Sequence, residues 1–164
     1  SSLETFVIPG LVCATKHATF VVKQGLVDFP RFGIIMKAGQ AIAIGRKKPI
    51  DDFKTVMKEG TALLKSGTSI IIFPQKKRET NFIIEEFNSI GVKLAKNAGV
   101  PIIPIALKTD FWGNGKLIKD IGPIHREKEI FFEFGEAIKV NGNGKEEHKN
   151  IINFITDRLA FWNK

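Results

Sequence analysis

A single-domain α/β sandwich with a largely parallel central β-sheet flanked by helices is the fold this 164-residue sequence predicts. Short runs of β-branched and aromatic residues alternate with stretches of helical period, which is the pattern of strand-helix-strand units. Two of the apolar runs also empty directly into clusters of cations, as strands do when their tips enter ligand-binding loops. With 43% hydrophobic and 26% charged residues, a chain of this length is globular and can bury a sizeable core.

Taken in order, Ser1 and Ser2 offer an N-cap pair, and Glu4 falls in what would be a first helical turn, an ordinary place for a dipole partner. Residues 19–22 read as a strand closing on Lys23. Phe29-Pro30-Arg31-Phe32-Gly33 marks a turn, and 34–38 a short helical or irregular piece. Residues 41–44 form a second strand that runs into Arg46, Lys47, Lys48 and Pro49. Residues 51–65 make the clearest helix, with Phe53, Val56, Met57, Gly60, Leu63 and Leu64 on one face and Asp51 and Asp52 at its start.

Residues 69–73 are expected to be the central strand, stopping at Pro74 and opening into Gln75, Lys76, Lys77 and Arg78. That loop suits an anion, or equally a solvated basic turn. A helix over 88–98 turns Ile90, Gly91, Leu94, Ala95 and Ala98 inward and stops at Gly99. Pro101 and Pro104 make part of the 100–107 strand an edge or a bulge. Residues 108–123 are loop-rich, 130–134 a further strand, and 141–144 a turn. The closing helix, 145–162, buries Ile151, Ile152, Ile155, Leu159 and Trp162.

Charge narrows the partners. The net charge of +8 is concentrated, with 13 basic against 6 acidic residues in 1–80 and 12 against 11 in 81–164. Phosphate-bearing molecules or an anionic membrane are the expected partners. Nucleic acid is not, because the cations follow strand ends and no reader motif is present. The single cysteine, Cys13, allows no internal disulfide. Cys13, His17, His125 and His148 lack metal-ligand spacing, so no metal is expected and each histidine is read as surface or satisfied. Gly113-Asn114-Gly115-Lys116 and Gly142-Asn143-Gly144-Lys145 lack phosphate-loop spacing and read as turns. No stretch reaches the roughly 18 apolar residues of a spanning helix. Beginning at Ser1 without Met, the sequence is expected to be a fragment, with further chain upstream that would include any membrane anchor.

Four segments in order carry a resemblance. Phe20-Val21-Val22-Lys23 through Pro30-Arg31-Phe32-Gly33, Gly39-Gln40-Ala41-Ile42-Ala43-Ile44-Gly45-Arg46, Phe73-Pro74-Gln75-Lys76-Lys77-Arg78 and Val100-Pro101-Ile102-Ile103-Pro104 resemble the motifs of the glycerolipid acyltransferases. The branch they resemble is the bacterial 1-acylglycerol-3-phosphate (lysophosphatidic acid) acyltransferases, over essentially the whole chain. The resemblance implies a glycerol-3-phosphate acyltransferase-like fold and an O-acyltransferase that makes phosphatidic acid for phospholipid synthesis.

The same resemblance implies the site. Ser1-Ser2-Leu3-Glu4 is similar to the end of the family's H-x-x-x-x-D motif, with Glu4 in the acid's place and the catalytic His expected two positions before Ser1. Residues 1–164 are therefore expected to be a catalytic domain truncated just after that His, and inactive as they stand. Lys23, Arg46, Gln75, Lys76, Lys77 and Arg78 are the substrate-binding candidates. Two guanidiniums match a phosphate bidentately, and Lys23 adds a point charge. Gln75 replaces the family's Glu, and Lys76 and Lys77 replace Gly and Thr. No cofactor is implied beyond acyl-CoA or acyl-carrier protein as donor substrate. The implied partners are a lysophospholipid acceptor and an anionic membrane, at the cytoplasmic face of a bacterial inner membrane. Phe29 and Phe32 are candidates for that contact or for the core. The alternative is a divergent lysophospholipid-phosphate binder without turnover.

Overall fold

The computed structural model describes residues 3–28, 32–45, 47–75, 82–113, 115 and 122–164. The chain opens with α1 (Leu3–Cys13), reverses over a short turn and enters β1 (Ala18–Lys23), followed by a single helical turn, α2 (Gln24–Val27), and α3 (Phe32–Ala38). Next come β2 (Ile42–Ile44), α4 (Pro49–Lys65), β3 (Ser69–Ile71), a 3-10 turn at Ile84–Glu86 and α5 (Ile90–Ala98). The chain closes with β4 (Ile105–Lys108), β5 (Phe131–Phe134) and α6 (Lys145–Trp162). The expected strands and helices all exist, within one or two residues of their predicted ends except for the 100–107 strand, which begins only at Ile105.

Among the described residues β1, β2 and β3 form a three-stranded parallel sheet in the order β2-β1-β3, with Val21 opposite Ile42 and Phe20 opposite Ile71. This corrects the expectation that 69–73 is the central strand, because β1 takes the middle. Its ladder also ends at Ile71, and Phe73 beyond it is 37% exposed. β4 and β5 pair antiparallel, so the sheet structure is only largely parallel. Pro101 and Pro104 interrupt the run before β4 as their missing N–H groups require, leaving an isolated bridge between Ile102 and Ile138.

Alternation along the strands divides the core between two faces. On one face Ile8 of α1 packs with Phe20 and Ile71, and Ile105, Leu107 and Phe132 of the β4-β5 ribbon join them. On the other, Ile42, Val56 and Leu94 pack with Val21, Ile44, Ile70 and Ile72, which seats α4 and α5. A third cluster, Val92, Ala106, Ile151 and Ile155, binds α5 to β4 and α6.

Because α5 lies between α4 and α6, it is buried on two sides, at Leu94 and Ala95 as expected and also at Val92. Ile90, Gly91 and Ala98, expected inward, are only half-buried. Phe53 likewise stays 38% exposed, and the Lys93 ammonium sits 5.6 Å from its ring centroid. α5 ends as predicted at Gly99, whose φ of 72° lets the 99 and 100 N–H groups close on Lys96 and Ala95 carbonyls. No helix among the described residues is long and apolar enough to cross a membrane.

Candidate functional site

Parallel pairing puts the C-terminal ends of β1, β2 and β3 on one edge of the sheet. Each strand passes straight into one of the predicted basic segments at that edge. β1 ends on Lys23, which is exposed. β2 passes through Ile44 and Gly45 toward Arg46, Lys47 and Lys48; Lys47 and Lys48 are exposed, and Arg46 lies outside the described residues. β3 runs on through Ile72, Phe73 and Pro74 to Gln75, and Lys76, Lys77 and Arg78 beyond it also lie outside the described residues.

α1 runs back along β1, with Ile8 against Phe20. Glu4, four residues before Ile8, is about 6 Å further along the helix toward the same edge, and Lys23 is about 10 Å beyond Phe20 along the strand. Only the backbone of Glu4 is described; it occupies the first turn of α1.

The three strand ends therefore share one edge, but the described side chains there do not share one face. Phe20 and Val22 point toward α1, so alternation sends Lys23 to the opposite side, with Val21 and Ile44 on the α4-α5 face. Phe73 follows Ile71 on the α1 side, where its ring stacks on Phe20 with centroids 6.2 Å apart.

Gln75 is half-buried, and its amide nitrogen donates to the Ile83 carbonyl at 3.5 Å, inward across the base of the loop that follows β3. That base is tied a second time by Asn88. Its backbone N–H donates to the Pro74 carbonyl at 3.3 Å and its side-chain amide donates to the same oxygen, while its Oδ1 accepts from Ile90 N at 3.1 Å. Across the edge, Asp52 Oδ1 accepts from Gly45 N at 2.9 Å.

Sequence reasoning missed both Asx contacts. It read Asp52 as a dipole partner and Asn88 only as a helix start. The signal was present, since an Asx residue at a helix start just after a strand-to-cation turn can reach back to that turn's backbone.

The histidines sit elsewhere. His17 precedes β1 at the far edge, where its carbonyl accepts from Ser69 N at 2.8 Å. His125 Nδ1 lies 3.3 Å from Glu127 Oε1. His148 corrects the expectation of a surface or satisfied ring: its Nδ1 is buried with no hydrogen-bond partner among the described residues, and the ring packs 5.6 Å from Phe87. The described residues contain no cluster of three His, Cys, Asp or Glu able to hold a metal.

A hollow of about 360 Å³ lined by Pro104, Glu133, Phe134, Gly135, Glu136, Ile138 and Phe154 belongs to the β4-β5 ribbon and α6, not to the strand-end edge. Its acidic lining is the wrong sign for a phosphate.

Residues 6–108 match the family model described as Acyltransferase. The chain is 31% identical over 145 residues to a 1-acyl-sn-glycerol-3-phosphate acyltransferase of Pseudomonas aeruginosa, covering 88% of this chain and 53% of that protein. It is 33% identical over 89 residues to a probable 1-acyl-sn-glycerol-3-phosphate acyltransferase of Mycoplasma pneumoniae, covering 54% of this chain and 33% of that one. The crystal structure of the 1-acyl-sn-glycerophosphate (LPA) acyltransferase PlsC from Thermotoga maritima superimposes with a TM-score of 0.67 at 17% identity, over 93% of this chain and 60% of that one. That likeness is one of fold. The chain spans about half the length, or less, of the curated relatives named here.

Proposed function

Since the chain belongs to the acyltransferase family, we propose that the protein carrying it transfers a fatty acyl group from acyl-CoA or acyl-carrier protein to the free hydroxyl of 1-acylglycerol-3-phosphate. The observation that carries this reading is the strand-end edge, where one parallel sheet delivers Lys23 and the chain leading to Arg46 and to Lys76, Lys77 and Arg78.

In the proposed reaction, Arg46 and Arg78 grip the acceptor phosphate bidentately and Lys23 adds a point charge from the α4-α5 side. Gripping the phosphate positions the distant hydroxyl against the base, where orientation alone lowers the barrier by several kcal/mol. The base is the imidazole of the family's motif, with Glu4 in the place of the acid that holds it, and it takes the hydroxyl proton as oxygen attacks the thioester carbonyl. The tetrahedral intermediate then collapses, the carbon–sulfur bond breaks, and the imidazolium returns its proton to the leaving thiolate.

The protein is proposed to work on an anionic membrane, at the cytoplasmic face of a bacterial inner membrane. Ile34 at 72% and Ile50 at 71% exposure, with Lys47 and Lys48 beside Ile50, support such a contact. Phe29 and the side chain of Phe32, the residues first singled out for it, lie outside the description.

The test is thiol release from acyl-CoA by the full-length protein with 1-acylglycerol-3-phosphate as acceptor, and its loss of efficiency in Arg78→Ala. Normal kinetics in that variant remove the role given to Arg78. A second reading, a lysophospholipid-phosphate binder without turnover, draws on Gln75, whose amide faces Ile83 where the family's motif has a carboxylate. Binding of lysophosphatidic acid with no thiol release would select it.

A further inference from the structure

We infer that Asp52 and Asn88 are positioning residues that fasten, each from the start of a helix, the two turns carrying the basic segments. The inference rests on the reading of the strand-end edge as the acceptor-phosphate site, and it assigns a role to two residues that lie outside the motifs.

The two contacts are alike in design. A strand that ends at a sheet edge hands its chain to a turn with no ladder to hold it. Asp52, in the first turns of α4, reaches back seven residues and accepts from the N–H of Gly45, the residue before Arg46. Asn88, two residues before α5, reaches back fourteen residues and donates from its side chain to the carbonyl of Pro74, the residue before Gln75. α4 and α5 are themselves fixed on the same face, through Val56 and Leu94 packed on Ile42. Each turn is therefore referenced to the rigid core through one Asx side chain, and the two references share that core.

Gln75 completes the second fastening. Its amide donates to Ile83 O, so the chain that leaves at Pro74 and returns to Asn88 is closed at its base by three donors: the Asn88 N–H, the Asn88 amide and the Gln75 amide. A carboxylate at 75 would have no hydrogen to donate and would face the Ile83 oxygen with charge. Gln at this position is thus matched to the local geometry, although the family's motif carries Glu.

Both residues also have a plain structural duty that the test must separate. Asp52 is a helix-start carboxylate, and Asn88 Oδ1 accepts from Ile90 N. Asp52→Asn keeps an acceptor oxygen for Gly45 while removing the charge. Asn88→Ser keeps a neutral acceptor for Ile90 but is too short to reach Pro74.

The experiment measures steady-state kinetics of the full-length protein and its variants with lysophosphatidic acid, together with the rate of tryptic cleavage after Lys76, Lys77 and Arg78. Losing one such hydrogen bond is worth about a three- to tenfold effect. The KM for lysophosphatidic acid is expected to rise by about that factor in Asp52→Ala and Asn88→Ser, with kcat within about twofold of wild type, while Asp52→Asn restores it. Cleavage after 76–78 is expected to quicken by a similar factor in Asn88→Ser.

An unchanged KM in Asp52→Ala and Asn88→Ser overturns the inference, as does a rise that Asp52→Asn does not reverse. If the wild-type protein transfers no acyl group, the functional reading falls by itself. The tryptic rate in Asn88→Ser then decides the fastening alone, and an unchanged rate refutes it.

Discussion

Leu94 of α5 lies across Gly60 of α4, so closely that a Cβ at position 60 would stand 2.9 Å from Leu94 Cδ2 and 3.3 Å from Ile70 Cδ1. Gly60 costs helix propensity, about 0.5–1 kcal/mol relative to Ala, and it is what allows α4 and α5 to seat together on the sheet. Overpacking of a filled core costs about 1–3 kcal/mol, so Gly60→Ala is expected to destabilise by about 1 kcal/mol despite the better helix former. Leu94, 1% exposed, should cost about 3 kcal/mol on truncation to Ala. In the Leu94→Ala background the sign of Gly60→Ala is expected to reverse, because the methyl then enters vacated space. Urea midpoints of the four proteins measure this, and additive effects would contradict the packing argument.

Gly144 and Gly142 share positive φ, at 77° and 51°, yet differ in surroundings. A Cβ on Gly144 would fall 2.6 Å from Val92 Cγ1, whereas Gly142 has nothing within 4 Å. Gly144→Ala therefore meets both a left-handed backbone and a clash, for a loss of about 2 kcal/mol or more. Gly142→Asn should stay within about 0.5 kcal/mol, since Asn tolerates that backbone. Thermal melts showing equal losses would rule out the role given to Val92.

Glu147 Oε1 accepts from the N–H of Asn141 at 2.7 Å, closing the turn that starts α6. That hydrogen bond, helped by its own backbone N–H, holds the carboxyl below its ordinary value of 4.5. A depressed folded value gives stability that is complete above the unfolded value and is lost as pH falls through the folded one. Acidification below about pH 4.5 should thus weaken the protein in part through Glu147, and Glu147→Gln should flatten that limb. An acid limb of unchanged slope in the variant would count against the assignment.

Asp110 shows the same sign for a different balance. Burial pushes its carboxyl up, and the Lys128 ammonium 2.8 Å away, together with the Asp110 backbone N–H and the charge of Lys108, outweighs this and leaves it below the ordinary value. Lys128→Met removes the main lowering influence and lets burial raise the carboxyl, so the share of the acid-induced loss of stability owed to Asp110 should shrink. Acid titration followed by near-ultraviolet circular dichroism tests this; an acid limb of unchanged slope would mean that Lys128 does not govern the carboxyl.

Lys23 is exposed at the end of β1 and lies on the α4-α5 face. Its removal should leave stability within about 0.5 kcal/mol. As a contributor to phosphate binding, Lys23→Met should nevertheless raise the KM for lysophosphatidic acid about tenfold. A variant with wild-type KM would exclude Lys23 from the acceptor site.

Much of the fold was legible because it is local. The apolar period over 51–65, the glycine stop at Gly99 and the bounds of α6 (Lys145–Trp162) follow from residues within one or two turns of each other. The motif order around Lys23, Arg46, Arg78 and Pro101 pointed to the family. The candidate site was legible as a set of strand ends, since parallel strands joined by helices must bring their C-terminal tips to one edge.

Placement across the sheet was decided only in three dimensions. The run 69–73 reads as the most buried strand, yet β1 takes the centre, because strand order depends on which edges pair and not on how apolar a run is. Alternation fixes that Lys23 opposes Phe20 and Val22 in direction, but only the packing of Ile8 on Phe20 shows that α1, and with it Glu4, lies on the other face. The hold of Asn88 on Pro74 and the second buried side of α5 at Val92 likewise join residues far apart in the chain. Periodicity records what each segment presents to its surroundings; which segment supplies those surroundings is set by long-range packing, and no local pattern encodes it.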